Sequence, residues 1–296
     1  MRHHRFPALL GLFLVLAAGC ARAPAGGSQV PQLISPLTSA PTAPAVGTTT
    51  RPPSPQPEPP PKTAVDPDSL VAAARGVERS AKVGVLVVDR TSGADVVSLN
   101  ADRQFRSASL VKLLIAVDAL RRGADAATRK RIAVMLQVSD DDIATALWTG
   151  AGGSALVTRM VRTMGLTGTR PPAIVGRWGD VLLTARDVAR VYRYVLAELP
   201  AADRALVVEA MASAPRTAAD GFDQHFGIPD GITAEWAVKQ GWSNSTNDIV
   251  VHSTGLVGRD WRYTVIVLTE HPLGVRWKTA AQSVTAVARV LNPLIS

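Results

Sequence analysis

The sequence predicts an α+β fold: an antiparallel sheet from the N- and C-terminal segments of one domain, packed with helices, plus a helical lobe from the middle. Three observations predict it. Short runs rich in β-branched residues stand at 83–88 and 96–99, and again at 234–239, 246–252 and 262–269. Between the two groups, residues 124–212 read as helix and loop. Residues 108–121 are apolar on nearly every face (Leu110, Val111, Leu113, Leu114, Ile115, Val117, Leu120). At that length such a run marks a buried central helix rather than an amphipathic surface one.

The chain has 296 residues, and composition sets its beginning apart. Arg2 and Arg5 precede the apolar run 6–18, which is shorter than the roughly 20 residues a membrane-spanning helix needs. The run ends in Leu16-Ala17-Ala18-Gly19-Cys20, and Cys20 is the only cysteine of the chain. This resembles a bacterial lipobox. The resemblance implies a lipoprotein signal peptide at 1–19 and a lipid of the palmitate kind on Cys20. It also implies export and anchorage on the outer face of the cell membrane. The plainer alternative is a secreted protein with a chance cysteine. Residues 20–66 then form a tether. Residues 21–66 hold 12 of the 21 prolines and no Phe, Trp or Tyr. Such a segment buries too little apolar surface to offset its ordering entropy, and its prolines favour an extended chain.

The folded domain is expected over 67–296. A helix over 67–80 carries Leu70, Val71, Ala74 and Val77 on one face, with Asp66 or Asp68 at its start. The strand at 83–88 turns at 91–94 and returns at 96–99 as a hairpin. The buried helix 108–121 is closed by Gly123. The three later strands and an amphipathic helix at 278–291 complete the chain.

Charge and cysteine count exclude several functions. The formal net charge is +8. Residues 67–296 hold 27 basic and 22 acidic residues, interspersed without a basic block, so nucleic-acid binding is not expected. One cysteine excludes a disulfide scaffold and any multi-cysteine metal site. His225 and His271 have no second ligand at metal spacing and read as loop residues. No cofactor is called for.

Of the six lysines, only Lys112 has a serine three positions before it. In a helix that gap puts Ser109 and Lys112 on one face, a turn apart. Serine needs a base to become a nucleophile, and a lysine serves if burial lowers its pKa. The plainer reading is a lysine snorkelling from a core helix beside a capping serine. Two further elements favour chemistry: Ser139-Asp140-Asp141 after an apolar stretch, and Lys239-Gln240-Gly241 at the end of a strand. S-x-x-K, S-D-x and K-x-G in that order resemble the class A β-lactamase-like superfamily of penicillin-recognising serine hydrolases. They are similar also to actinobacterial lipoproteins carrying such a domain. The likeness covers about residues 68–293.

The resemblance implies roles. Ser109 would be acylated, Lys112 would be its base, and Ser139 would relay a proton to the leaving nitrogen. Lys239 would attract a substrate carboxylate, with Asp141, Gln240, Gly241 and Trp242 around the substrate. The N–H groups of Ser109 and Trp242 would form the oxyanion hole. The substrate would be a β-lactam or a peptidoglycan D-Ala-D-Ala stem peptide.

Four departures from the family pattern stand out. Asp141 replaces an asparagine, and an anion beside Lys112 favours its ammonium form. Gln240 replaces a hydroxyl residue. In Arg177-Trp178-Gly179-Asp180, Gly179 stands where the family has its deacylating glutamate, and Asp180 follows one residue late. The gap from Ser109 to Ser139 is short, so one wall of the cleft is expected to be missing. Two functions remain: a serine hydrolase-like lipoprotein slow to deacylate, or a catalytically inactive envelope lipoprotein that keeps the fold for binding.

Overall fold

The computed structural model describes residues 65–296. The expected signal peptide, Cys20 and nearly all of the expected tether lie outside them. Helix α1 (Pro67–Val77) opens the domain, capped by Asp66, whose carboxylate accepts the Asp68 N–H at 3.0 Å. Pro67 fits at the first helical position because its missing N–H has no intrahelical partner there. The helix stops short of residue 80 because Glu78 turns extended, its N–H still bonded to the Ala74 carbonyl. Strands β1 (Lys82–Asp89) and β2 (Ala94–Leu99) form the expected hairpin. A brief β3 (Phe105–Arg106) precedes α2 (Val111–Arg121).

The helical lobe continues with α3 (Ala126–Val138), α4 (Asp141–Gly150) and α5 (Ser154–Met164). Then come β4 (Leu182–Leu183), α6 (Ala185–Ala197) and α7 (Ala201–Ala212). A short α8 (Ile228–Gly231) leads to β5 (Trp236–Asn244), β6 (Asp248–Val257), β7 (Tyr263–Pro272) and α9 (Trp277–Ile295).

The main sheet has the order β2-β1-β7-β6-β5, antiparallel throughout. The chain's early and late segments meet in its middle, where Val85 faces Val267. Alternation sorts the side chains. Val83, Val85, Val87, Val265 and Val267 join the core under α1 and α9. Leu86, Ile266 and Leu268 join the core of the helical lobe. A sheet covered on both faces reads as continuous apolar runs, which is how these strands stood out in sequence.

Helix α2 is the axis of the lobe. Nine of its eleven residues are buried, which only a central helix permits, and it packs on α3, α4, α5 and α6. Fully burying each of Leu113, Leu114 and Ile115 is worth about 1.5–3 kcal/mol.

Two expectations need correction, and one strand pairing was not foreseen. The run at 108–121 is not one helix: 108–110 form a 3-10 turn, and α2 starts at Val111. The β3–β4 ribbon pairs Phe105 with Leu183 and Arg106 with Leu182, and two-residue strands are too short to show alternation. His271 is not a loop residue but lies buried in β7; His225 does lie in a loop.

His271 belongs to a buried polar chain. Its Nε2 is 2.9 Å from Thr269 Oγ1, and Thr269 N donates to His252 Nδ1 at 3.2 Å. His252 Nε2 therefore carries the proton and donates to the Arg106 carbonyl at 2.7 Å. Burial pushes both imidazoles down from 6.5 to about 4. Between pH 6.5 and about 4 the unfolded chain binds protons that the folded histidines refuse. Stability therefore falls as pH falls through that window. Urea midpoints at neutral and mildly acidic pH check this, and replacing His252 and His271 by Asn is expected to flatten the acid loss.

Candidate active site

The segment before α2 is held by backbone contacts. Ser107 N donates to the Val181 carbonyl at 2.7 Å, and Leu110 N to the Ser107 carbonyl at 3.0 Å. Ala108 has φ +45°, a left-handed conformation that costs a non-glycine residue of order 1–3 kcal/mol. Ser109 follows it on the 3-10 turn, and Lys112 lies one turn on, in α2. The Lys112 Nζ to Ser109 Oγ distance is 2.8 Å. Spacing in the sequence foresaw this pair; the serine, however, stands ahead of the α-helix rather than within it.

Ser139 arrives from α3. That helix follows α2 after a connection spanning 122–125 and ends with Ser139 as its left-handed C-cap, at φ 58° and ψ 39°. The bend brings two Ser139 atoms to Lys112 Nζ, the carbonyl at 2.7 Å and Oγ at 3.1 Å. Asp140 caps α4 by accepting the Ile143 N–H at 2.8 Å. Asp141, the first residue of α4, places Oδ1 2.5 Å from Lys112 Nζ. Lys239 comes from β5, and its Nζ donates to Ser139 Oγ at 2.9 Å and to the Gln240 carbonyl at 3.0 Å. Ser139 Oγ thus lies between two amines delivered by α2 and β5.

Both amines are buried, Lys112 at 0% exposure and Lys239 at 1%. Loss of hydration lowers the Lys112 pKa, against the pull of Asp141, which alone would raise it. Burial wins because the Asp141 side chain is 65% exposed, so its charge is screened by water. The expected ammonium-stabilising effect of Asp141 is therefore present but outweighed. Lys239 is lowered further, by burial and then by the neighbouring Lys112 charge.

The remaining residues named from sequence divide. Gly241 backs onto the serine turn: a Cβ there would come 3.1 Å from the Ser107 carbonyl and 3.2 Å from Leu110. The absent side chain lets β5 approach. Trp242 and Asp141 line a cleft of about 590 Å³ that opens beside Ser109. Gln240 does not reach it. Its buried amide donates to the Gln224 carbonyl at 3.0 Å and the Phe226 carbonyl at 2.7 Å. It ties a loop to β5, and this corrects the expectation that it touches substrate.

Gly179 does border the serine turn, where an added Cβ would lie 3.8 Å from Ala108 Cα. Asp180 is engaged elsewhere, with Oδ1 3.2 Å from Arg106 Nη1 and Oδ2 2.6 Å from Arg177 Nε. Both carboxylate oxygens face guanidinium groups, which leaves it a poor stand-in for a general base. Sequence reading missed Arg106, which also pairs with Asp248 and donates to Ser243 Oγ at 2.9 Å. It missed the cleft residues Asp220, Phe222 and Trp277 as well. Their local sequence carries no motif, and folding alone brings them together. Among the described residues no cluster of His, Cys, Asp and Glu could hold a metal ion.

With the geometry in place, comparison with known proteins is informative. A profile of the Beta-lactamase enzyme family matches residues 70–130. The protein named "Putative lipoprotein LppW" in Mycobacterium tuberculosis is 36% identical over 233 residues, covering 75% of this chain and 72% of its own. The Mycobacterium bovis protein of the same name matches equally. Among solved structures, the class A β-lactamase from Mycobacterium abscessus superposes with a TM-score of 0.60 at 20% identity, over 76% of this chain and 97% of that one. A PBP-A variant in acyl-enzyme complex with penicillin G gives 0.61 at 18% identity, over 78% and 97%. At these identities the structural likeness speaks for the fold. The chain belongs to the family of the mycobacterial LppW proteins, and it has the fold of the class A β-lactamases and PBP-A.

A buried amine opposes folding unless its contacts restore what hydration gave. Lys112→Met removes that desolvation cost and leaves Asp141 in water. The variant is expected to be as stable as the parent or about 1–3 kcal/mol more stable. Urea denaturation checks this, and a loss of several kcal/mol would mean that the Lys112 contacts outweigh its burial.

Proposed function

We propose that the protein is a serine acyl-transfer protein of the envelope, acylated at Ser109 by β-lactams or D-Ala-D-Ala peptides and slow to release the product. The observation that carries this reading is the 2.8 Å contact between Lys112 Nζ and Ser109 Oγ, joined through Ser139 to Lys239. Neutral Lys112 takes the Ser109 proton as Oγ attacks the carbonyl carbon. The oxygen becomes an oxyanion beside the N–H groups of Ser109 and Trp242. Collapse breaks the C–N bond, and the nitrogen leaves with a proton passed from Lys112 through the Ser139 hydroxyl. Ser109 is left as an ester and Lys112 neutral. Water must then cleave the ester. With Gly179 in place of a carboxylate and Asp180 held by two arginines, that step lacks a base.

The second reading, an inactive binding protein, is favoured by one contact: the 2.5 Å ion pair of Lys112 with Asp141. It stabilises the protonated amine, which cannot act as a base. The two readings separate in one experiment. On incubation with penicillin, intact mass is expected to rise by one penicillin, persistently, and Ser109→Ala is expected to stay unmodified. Acylation is expected to speed up as pH rises and Lys112 loses its proton, with a midpoint below the ordinary 10.5. No adduct at any pH would leave the binding reading.

For the remainder of the chain, the same proposal assigns 1–19 to a signal peptide, Cys20 to lipid attachment, 20–66 to a spacer and 67–296 to the acyl-transfer domain. The lipoprotein name of the mycobacterial relatives supports it. Cys20→Ala is expected to move the protein from the detergent phase to the aqueous phase on partitioning. An unchanged distribution would remove the anchor.

A further inference from the structure

Away from the Ser109 cleft, a cavity of about 430 Å³ opens between the β1–β2 hairpin and α6. It shares no residue with the cleft. Strand alternation puts Leu86, Val88 and Arg90 on one side where β1 runs into its turn. Helical spacings of three and four put Arg186, Ala189, Arg190, Arg193 and Leu196 on one face of α6. The floor is apolar: Leu86 is buried, and Val88, Ala189 and Leu196 are half-buried at the edge of the lobe core. The rim is basic, with Arg90, Arg186, Arg190 and Arg193 against one carboxylate, Asp95.

The four arginines are not equivalent. Arg186 pairs with Asp95 at 2.7 Å and with Asp102 at 2.9 Å, and Arg190 pairs with Asp187 at 2.8 Å. Arg90 has carbonyl partners instead: its Nη1 donates to the Trp261 carbonyl at 2.5 Å and to the Asp260 carbonyl at 3.3 Å. The carboxylates nearest to it in sequence and contact serve other arginines, Asp89 with Arg262 at 2.7 Å and Asp260 with Arg259 at 3.8 Å. Carbonyls leave a guanidinium its whole charge, and partial loss of water already disfavours that charge on Arg90, so an anion beside it restores stabilisation. Arg193 is exposed, and among the described residues no carboxylate pairs with it. Four arginines thus stand against three carboxylates, Asp95, Asp102 and Asp187. One monoanion balances the rim.

We propose that the cavity between the β1–β2 hairpin and α6 binds an alkyl carboxylate, with its chain on Leu86, Val88 and Leu196 and its headgroup at Arg193 and Arg90. The guanidinium fork matches a carboxylate. The apolar floor selects for a chain, and the volume lies within the range of about 300–1,000 Å³ usual for small-ligand sites. None of the residues assigned to acyl transfer lines this cavity, so the site stands whether or not Ser109 is a nucleophile.

The test is photolabelling of the full-length protein at neutral pH with an octanoate analogue carrying a diazirine in its chain, followed by peptide mapping. Label is expected on the β1–β2 hairpin and α6. Octanoate is expected to compete at least about tenfold better than octanol, which lacks the charge, or acetate, which lacks the chain. At subsaturating probe, Arg193→Glu is expected to cut this labelling at least about fivefold with an unchanged urea midpoint. Arg193→Gln, which only removes the charge, is expected to cut it in the same direction and decides the matter should the Glu variant be less stable. Label confined to other segments overturns the site. So does equal competition by octanol, equal competition by acetate, or labelling that survives loss of the Arg193 charge.

Discussion

Two lysine amines meet one serine hydroxyl where water does not reach, and much of the domain serves that arrangement. An unaccompanied ammonium in such a place is strongly disfavoured. The structure answers with acceptors: Lys112 has Ser109 Oγ, both Ser139 oxygens and Asp141 within hydrogen-bond distance, and Lys239 has Ser139 Oγ and the Gln240 carbonyl. The acceptors come from three pieces of backbone, so the serine turn leading into α2, the α3–α4 junction and β5 must all be in register. Burial of α2 on every side fixes the first, the left-handed Ser139 fixes the second, and the glycine gap at 241 fixes the third.

The same arrangement sets two opposing influences on Lys112. Burial favours the neutral amine and Asp141 favours the charged one. A base needs the first; a static, ion-paired scaffold would be content with the second. Since Asp141 is mostly in water, its pull is weakened, and burial sets the Lys112 pKa below its ordinary value. Under the proposed acyl transfer, deacylation is limited on separate grounds. Gly179 offers no carboxylate beside the turn, and Asp180 is drawn outward into pairs with Arg106 and Arg177. On the proposed reading, a site that opens an acyl bond but lacks a carboxylate to activate water holds its acyl group for a long time.

The cleft also departs from a simple anion-receiving pocket. At its mouth Asp220 accepts from Trp242 Nε1–H, Phe222 stacks on Trp242, and Lys239 Nζ lies 5.9 Å over the Trp242 ring. The mouth and the base of the cleft therefore come from different parts of the chain. The aromatic and acidic side chains at 220–222 come from a loop, whereas the reacting groups sit on packed helix and strand. Loops vary in sequence more readily than core elements, so specificity can change without disturbing Ser109 and Lys112.

Local sequence determined what short-range physics governs. The apolar run of α2, the hairpin and the three late strands were legible because burial on one or both faces imposes a period that composition reveals. The Ser109–Lys112 pair was legible because a single helical turn fixes its geometry. Ser139 and Lys239 were legible only through their resemblance to a family pattern, since nothing local says that residues 100 positions apart share a hydrogen bond. Tertiary structure alone decided the rest. Gln240 could not be placed from its position beside Lys239, because its partners are carbonyls of a loop at 224–226. His271 read as an isolated loop histidine because its burial depends on a helix that follows it in the chain. The lowered Lys112 pKa, the capture of Asp180 by two arginines and the meeting of Asp220 with Trp242 depend on distances across the fold. Hydration and Coulomb forces act through space, and no spacing along the chain encodes them.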